Sequence, residues 1–283
     1  MSERTGVAVI GAGNWGSSLI AGLRAADLGP REVIRRNIWQ RARLDARIIW
    51  LCVPDADIAS VAEKLVARAR RLRGENALRG QIVLHSSGAL SADVLEPARR
   101  LGAKIASVHP VMTFPTHRIV PLQGVMFGIE ARGPSVRREL SALVGRLGGV
   151  SFAVKPEAKA LYHAAGVMAS PLLVSALTAA TETARLAGLD EKTAAKWVRS
   201  LAEATAANVF THGPQASFSG PFARGDVATI TLHLEALAEH PILAGVYRSL
   251  AHHAVCRLPV KNRRALLQAI EIRCGQDKVR VGK

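Results

Sequence analysis

Ten residues near the start of the chain restrict its fold more than any others: Val7-Ala8-Val9-Ile10-Gly11-Ala12-Gly13-Asn14-Trp15-Gly16. Four consecutive apolar residues fit a strand buried on both faces. A Gly-x-Gly-x-x-Gly turn follows at once, and Leu19, Ile20 and Leu23 then recur at helical spacing. Strand, glycine turn and helix in this order open a dinucleotide-binding βαβ unit. Gly11 permits the tight turn off the strand. Gly13 has no Cβ to hold a pyrophosphate away from the backbone, and Gly16 lets the helix lie close on the strand. Asn14 and Trp15, inside the turn, are candidate cofactor contacts with its glycines, and the helix that follows from Ser17 presents N–H groups and a partial positive charge that suit phosphate.

The pattern continues with strand-like stretches at 32–35, 48–53, 80–84, 104–108, 125–130 and 150–154, separated by helical or turn segments. Alternation of this kind predicts an α/β fold, a Rossmann-type doubly wound parallel sheet. Ligands of such sheets sit beyond the C-terminal strand ends. Those ends hold the glycine turn, Val53-Pro54-Asp55, His85-Ser86-Ser87-Gly88 and His109-Pro110. Val53, Pro54 and Ser86 are therefore candidate cofactor contacts. An acidic residue at the end of the second strand would hold the ribose 2′-hydroxyl of NAD; Arg35 and Arg36 occupy that place. A guanidinium can grip a 2′-phosphate bidentately, so NADP is expected over NAD.

At Lys155-Pro156 the strand signals stop. Helical patterns fill 156–187, with a kink expected at Pro171, then 191–208, 227–238, 242–252 and 262–273. Two domains follow: residues 1–154, a dinucleotide-binding Rossmann-like domain, and 155–283, an all-α domain for substrate and dimerisation. The chain's 283 residues, 49% of them hydrophobic, suffice for both cores.

The net charge of +16 raises the question of nucleic acid. Basic residues come as scattered doublets and triplets, and aromatics are 4%, so no stacking platform is visible. A small anionic substrate and an anionic cofactor fit the charge better, and no nucleic-acid partner is expected. No apolar run reaches the ~18 residues a bilayer requires, so no membrane span is expected. The polar start lacks a secretion signal, and Cys52, Cys256 and Cys274 have no metal or redox spacing. These features point to the cytoplasm.

Two constellations could carry chemistry. Lys159, Tyr162 and His163 lie at i, i+3 and i+4 and share one helix face at the start of the second domain. Lysine can protonate an oxyanion as hydride arrives at carbon, and histidine can assist or hold a carboxylate. Later, Gly220-Pro221-Phe222-Ala223-Arg224-Gly225-Asp226 sets Arg224 between glycines, where it suits a substrate carboxylate. Asp226 either joins that site or caps the next helix; His233, lower on that helix, is either a cleft residue or a packed one. His85 and His109 have no carboxylate at ligand spacing, so no metal is expected.

The order of the glycine turn, Cys52-Val53-Pro54-Asp55, His85-Ser86-Ser87-Gly88, Ser107-Val108-His109-Pro110, Lys159-Ala-Leu-Tyr162-His163 and Gly220-Pro221-x-x-Arg224-Gly225-Asp226 resembles a bacterial family. Its members join a Rossmann-like NADP-oxidoreductase domain to a helical C-terminal domain of unknown function. The family is similar to the superfamily of 6-phosphogluconate dehydrogenase, ketopantoate reductase and pyrroline-5-carboxylate reductase. The resemblance implies a homodimer and an NADP-dependent reductase of a small carboxylated carbonyl compound, a ketopantoate-like 2-keto acid first. A cyclic-imine reductase is the alternative. In several members a lysine is followed four residues later by asparagine; Lys159 matches the lysine, and His163 stands in the asparagine's place. That change leaves room for a different class, a regulatory or scaffold protein that binds NADP without turnover.

Overall fold

The computed structural model describes residues 6–116 and 118–271, without the side chains of Arg36 and Asn37. The chain forms two compact units that divide between Ser170 and Pro171. The strand signals end at Val154, but the next helix still belongs to the first unit, so the dividing line is later than 154/155.

In the first unit, β1 (Val7–Ile10) leads through the glycine turn into α1 (Asn14–Ala25). Then come β2 (Glu32–Ile34), a 3-10 turn at Arg36–Arg41, β3 (Ile48–Leu51) and α2 (Ile58–Arg73). β4 (Ile82–His85), α3 (Glu96–Arg100), β5 (Lys104–Val111), β6 (Met126–Ala131), α4 (Pro134–Arg146) and β7 (Val150–Ala153) complete the sheet. α5 (Lys159–Ala169) closes the unit. The strand order is β2-β1-β3-β4-β5-β6-β7.

Strand residues alternate between two cores. Val7, Val9 and Trp50 pack with Leu19 and Leu23 of α1 and Leu140 of α4. Ala8, Ile10 and Ile49 pack with Ile58 and Leu65 of α2. Helices cover both faces, which is why these strands read as continuous apolar runs. The expected doubly wound parallel sheet is present with one exception: β5 and β6 pair antiparallel, while every other pair is parallel. The connection 112–125 holds no helix among its described residues, and a parallel return needs a crossover.

The second unit is helical. It comprises α6 (Pro171–Leu186), α7 (Glu191–Ser217), α8 (Gly220–Arg224), α9 (Val227–Ala236), α10 (Pro241–Arg257) and α11 (Arg263–Glu271). Ile230, Leu234, Val255 and Leu266 form its core. Pro171 ends α5 outright, with Ser170 non-helical between the two helices. α7 runs past the expected end at 208, to Ser217, across a break at Gly213. Within Pro156–Leu186 an 18-residue window has a mean hydropathy of 1.5, apolar enough by composition for a membrane span, but the break at Ser170 divides the stretch into two helices. Scattered Ala, Thr and Ser hid this from a search for unbroken apolar runs.

Candidate active site

The glycines of the first turn divide their tasks. Gly11 has φ +98°, and a Cβ there would meet the Cys52 carbonyl oxygen at 2.4 Å. At Gly16 a Cβ would lie 2.3 Å from the Gly11 carbonyl oxygen. These two are fixed by packing. At Gly13 a Cβ would meet nothing within 4 Å, so its surroundings are open. Gly13 is also the N-cap of α1 and offers no side chain to the helix's first N–H groups. Beside this turn lies a cavity of about 560 Å³ lined by Ala12, Ser17, Ile20, Arg24, Arg35 and Ile38. A dinucleotide fits what is there: an uncapped helix start, a position open to close approach, and two arginines on a cavity wall. Arg24 is an addition; on α1 it reads only as a basic residue in the last helical turn. The side chain of Arg36 lies outside the described residues.

Other expected cofactor contacts have structural uses. Both indoles, of Trp15 and of Trp50, donate to Ser86 Oγ at 2.7 Å, and Trp15 packs against Phe114. The Trp15 and Ser86 side chains thus brace the interior. Any contact of Trp15 with phosphate falls to its backbone N–H. The Asn14 amide donates to the Phe114 carbonyl at 3.2 Å. Val53 touches the glycine turn, and Pro54 is exposed just beyond β3.

At the end of β4, beside the middle of β5 and β6, lies a buried polar network. Lys159 Nζ donates to Ser107 Oγ at 2.6 Å and to the Ser87 carbonyl at 2.9 Å, and stands 3.5 Å from Glu130 Oε2. The side chains of Lys159 and Glu130 are 3% and 6% exposed. Three acceptors match the three protons of the ammonium. This corrects the expected role: Lys159 braces α5 against the sheet and has no proton directed at a substrate. Glu130, not singled out by the sequence, also accepts from the Ala92 N–H at 3.0 Å and from Ser91 Oγ. His85 Nδ1 accepts the Ser87 N–H, and its Nε2 faces the Ser91 carbonyl at 3.2 Å. Burial and the nearby Lys159 charge lower its pKa to about 4.

Two residues further along β5, His109 Nδ1 lies 2.6 Å from Tyr162 Oη. Burial, with the charges of Lys159 and His163, lowers the His109 pKa to about 4. Burial raises that of Tyr162 to about 12, so both are neutral near pH 7. His163 stands edge-on to His109 with ring centroids 6.1 Å apart. Both imidazoles press on Gly88, where a Cβ would meet His163 Cδ2 at 2.7 Å and His109 Nε2 at 2.9 Å. The shared face of α5 is therefore real, but its three side chains separate: Lys159 goes inward, while Tyr162 and His163 reach His109.

In the second unit, Asp226 is a helix cap. Its carboxylate accepts from Thr229 N at 3.1 Å and Thr229 Oγ1 at 2.7 Å, and these bonds lower its pKa. This corrects its reading as a catalytic group. His233 pairs with Tyr247 Oη at 2.9 Å, a contact inside the unit. Arg224 ends α8, exposed, and Gly225 follows in the left-handed conformation.

Residues 32–110 match the family model of a Rossmann-like domain, and residues 125–254 match that of a domain of unknown function, DUF2520. The two in this order are the architecture that the motif series resembles. No protein of curated function matches the sequence significantly. Among solved structures, a candidate NADP oxidoreductase of Bacteroides fragilis aligns with TM-score 0.69 at 20% identity, covering 88% of this chain and 96% of that one. A Thermotoga maritima protein aligns with TM-score 0.63 at 20% identity, over 86% and 98%. Plasmodium falciparum pyrroline carboxylate reductase with NADP bound gives 0.57 at 14%, over 95% and 97%. At these identities the likeness establishes the fold.

Proposed function

We propose that this protein is an NADPH-dependent reductase of a small carboxylated compound, acting on a C=N or C=O bond. The carrying observation is the open glycine turn beside an arginine-lined cavity: Arg35 and Arg24 are the candidate ligands of the 2′-phosphate. The occupied ammonium of Lys159 bears on the substrate. A 2-keto acid needs an acid at its oxygen, whereas an imine can bring its own proton. Cyclic imine carboxylates and ketopantoate-like keto acids are the two candidate substrate classes. Arg224 remains the proposed carboxylate ligand on the strength of its motif. Unpaired Cys52 and Cys256 suit a reducing, cytoplasmic setting.

The test is NADPH binding measured beside NADPH oxidation, with cyclic imine carboxylates and 2-keto acids as substrates. Turnover of either class is the expected result. No binding would overturn the reading, and binding without turnover would favour the regulatory alternative.

A second copy of the chain is the proposed cover of the α6–α7 hairpin. Of its 16 and 27 residues, only Ala184 and Ala194 are buried. Leu173, Val174, Trp197 and Leu201 are 51–63% exposed. Lys192, Lys196, Arg199 and Glu203 lie on the helix face opposite Trp197 and Leu201, so the hairpin has one apolar and one charged side. A standard interface takes roughly 20–30 residues from each partner, within what the hairpin offers. Two chains of net charge +16 repel each other, and α6 is the place where they can meet, since Glu182 and Arg185 are its only charges and cancel.

A further inference from the structure

We infer that His109 and Tyr162 form a proton relay serving the atom reduced by hydride; the inference rests on the reductase reading above. Tyr162 Oη is seated against β6, where a Cβ on Gly128 would meet it at 2.6 Å, and its ring packs on Phe152. Among the described residues its hydrogen-bond partner is His109 Nδ1. A half-buried phenol needs an acceptor for its proton, so Nδ1 accepts and the imidazole proton sits on Nε2. That Nε2 is turned toward Gly88, beyond the end of β4, and has no hydrogen bond among the described residues. The pair therefore presents one outward N–H with a second proton stored behind it.

The balance of the step follows. Hydride from the nicotinamide C4 adds to the carbon of a neutral imine, and the C=N π pair moves to nitrogen. A free amide anion is far too basic to form, so a proton must arrive with the hydride. His109 Nε2 gives its proton to that nitrogen as Tyr162 Oη–H passes its own to Nδ1. The products are the amine and NADP⁺; water then returns a proton to Nε2 as Nδ1 hands its own back to the tyrosinate, which restores the starting tautomer. His109 is the residue in contact with the reacting atom; Tyr162 acts through it and positions it. Lys159 stays out of the path; burial first, and the Lys159 charge with it, keep the imidazole neutral.

Paired substrates test the relay. A cyclic imine carboxylate, above its own pKa, needs a proton; its N-methyl iminium counterpart needs none. Tyr162→Phe keeps the ring and its packing. It should lower kcat on the imine by roughly 10²-fold while changing the iminium rate and the NADPH dissociation constant by less than about twofold. Equal losses on both substrates, or none on either, would overturn the relay. Turnover of neither by the native protein would instead remove the reductase reading. The relay then stands or falls on the ¹⁵N spectrum of His109: a neutral Nε2–H tautomer that shifts in Tyr162→Phe upholds it, and an Nδ1–H tautomer or an imidazolium at pH 7 refutes it.

Discussion

The β4–β5 end of the sheet and the α6–α7 hairpin carry their polar and apolar groups in opposite ways. At the strand ends even charged groups are inside: Lys159, Glu130 and His85 are buried, each with partners from other elements. Along the hairpin large apolar groups are outside, with Trp197 54% and Leu201 59% exposed. The first region has satisfied its unfavourable groups within the chain. The second leaves them exposed in a single copy. A substitution should therefore disturb the fold at the strand ends and the assembly at the hairpin.

The largest loss of stability is expected from Lys159→Met. It removes one partner from a buried pair and strands the Glu130 carboxylate, which costs about 3–5 kcal/mol. Denaturant unfolding measures this directly. A loss under about 1 kcal/mol would mean that Glu130 simply takes up a proton, and the braced-lysine account would fail.

Acid comes next. His85 has a folded pKa of about 4, depressed chiefly by burial, against an ordinary 6.5. Between these values the unfolded chain binds a proton that the folded one refuses, so stability rises with pH there. It is fully present above about 6.5 and is lost as pH falls toward 4, by on the order of 3 kcal/mol for this one group. His109, depressed to a similar value, adds in the same direction. His85→Asn should flatten the slope between pH 6.5 and 4; an unchanged slope would mean the imidazole is charged in the native state.

Gly13→Val separates site from fold within the same unit. With nothing within 4 Å of its Cβ position and no positive φ, the variant should unfold within about 0.5 kcal/mol of the native protein. NADPH binding should nevertheless be abolished, because the new side chain fills the space of the pyrophosphate. Isothermal titration on the folded variant decides it, and retained affinity would move the cofactor elsewhere.

The sheet was legible because its determinants are local. Apolar runs, turn glycines and caps such as Ser91 and Asp226 act within a few residues, and their signals survive in the order of the chain. What the sequence concealed depends on partners far apart. Lys159 and Glu130 are ordinary charges until α5 packs over β6. His109 and Tyr162 are 53 positions apart, and only the strand-end geometry joins them. The antiparallel β6 did leave a sign, a connection at 112–125 without a helical pattern. Helical spacing placed Lys159, Tyr162 and His163 on one face but could not say that the face itself splits, with the first residue inward and the others toward β5.

The smallest effect on the fold, and the sharpest test of the comparison, is Leu201→Glu. Leu201 is 59% exposed, so a carboxylate there meets water in a single chain and should alter the stability of dilute protein by no more than about 0.5 kcal/mol. In a dimer the same carboxylate would enter an apolar face opposite its own symmetry mate, and a buried unpaired charge costs several kcal/mol. Sedimentation equilibrium should therefore show a dimer for the native chain and a monomer for the variant. Arg199→Ala on the charged side of α7 serves as the control, since it should leave the dimer intact. A native monomer at tens of micromolar, or a dimer indifferent to Leu201→Glu, would exclude a second copy as the cover. Flotation of the native protein with neutral lipid vesicles would assign the apolar face to a membrane instead. That outcome conflicts with the hairpin's other side, where Lys192, Lys196, Arg199 and Glu203 require water along about three turns of the same helix.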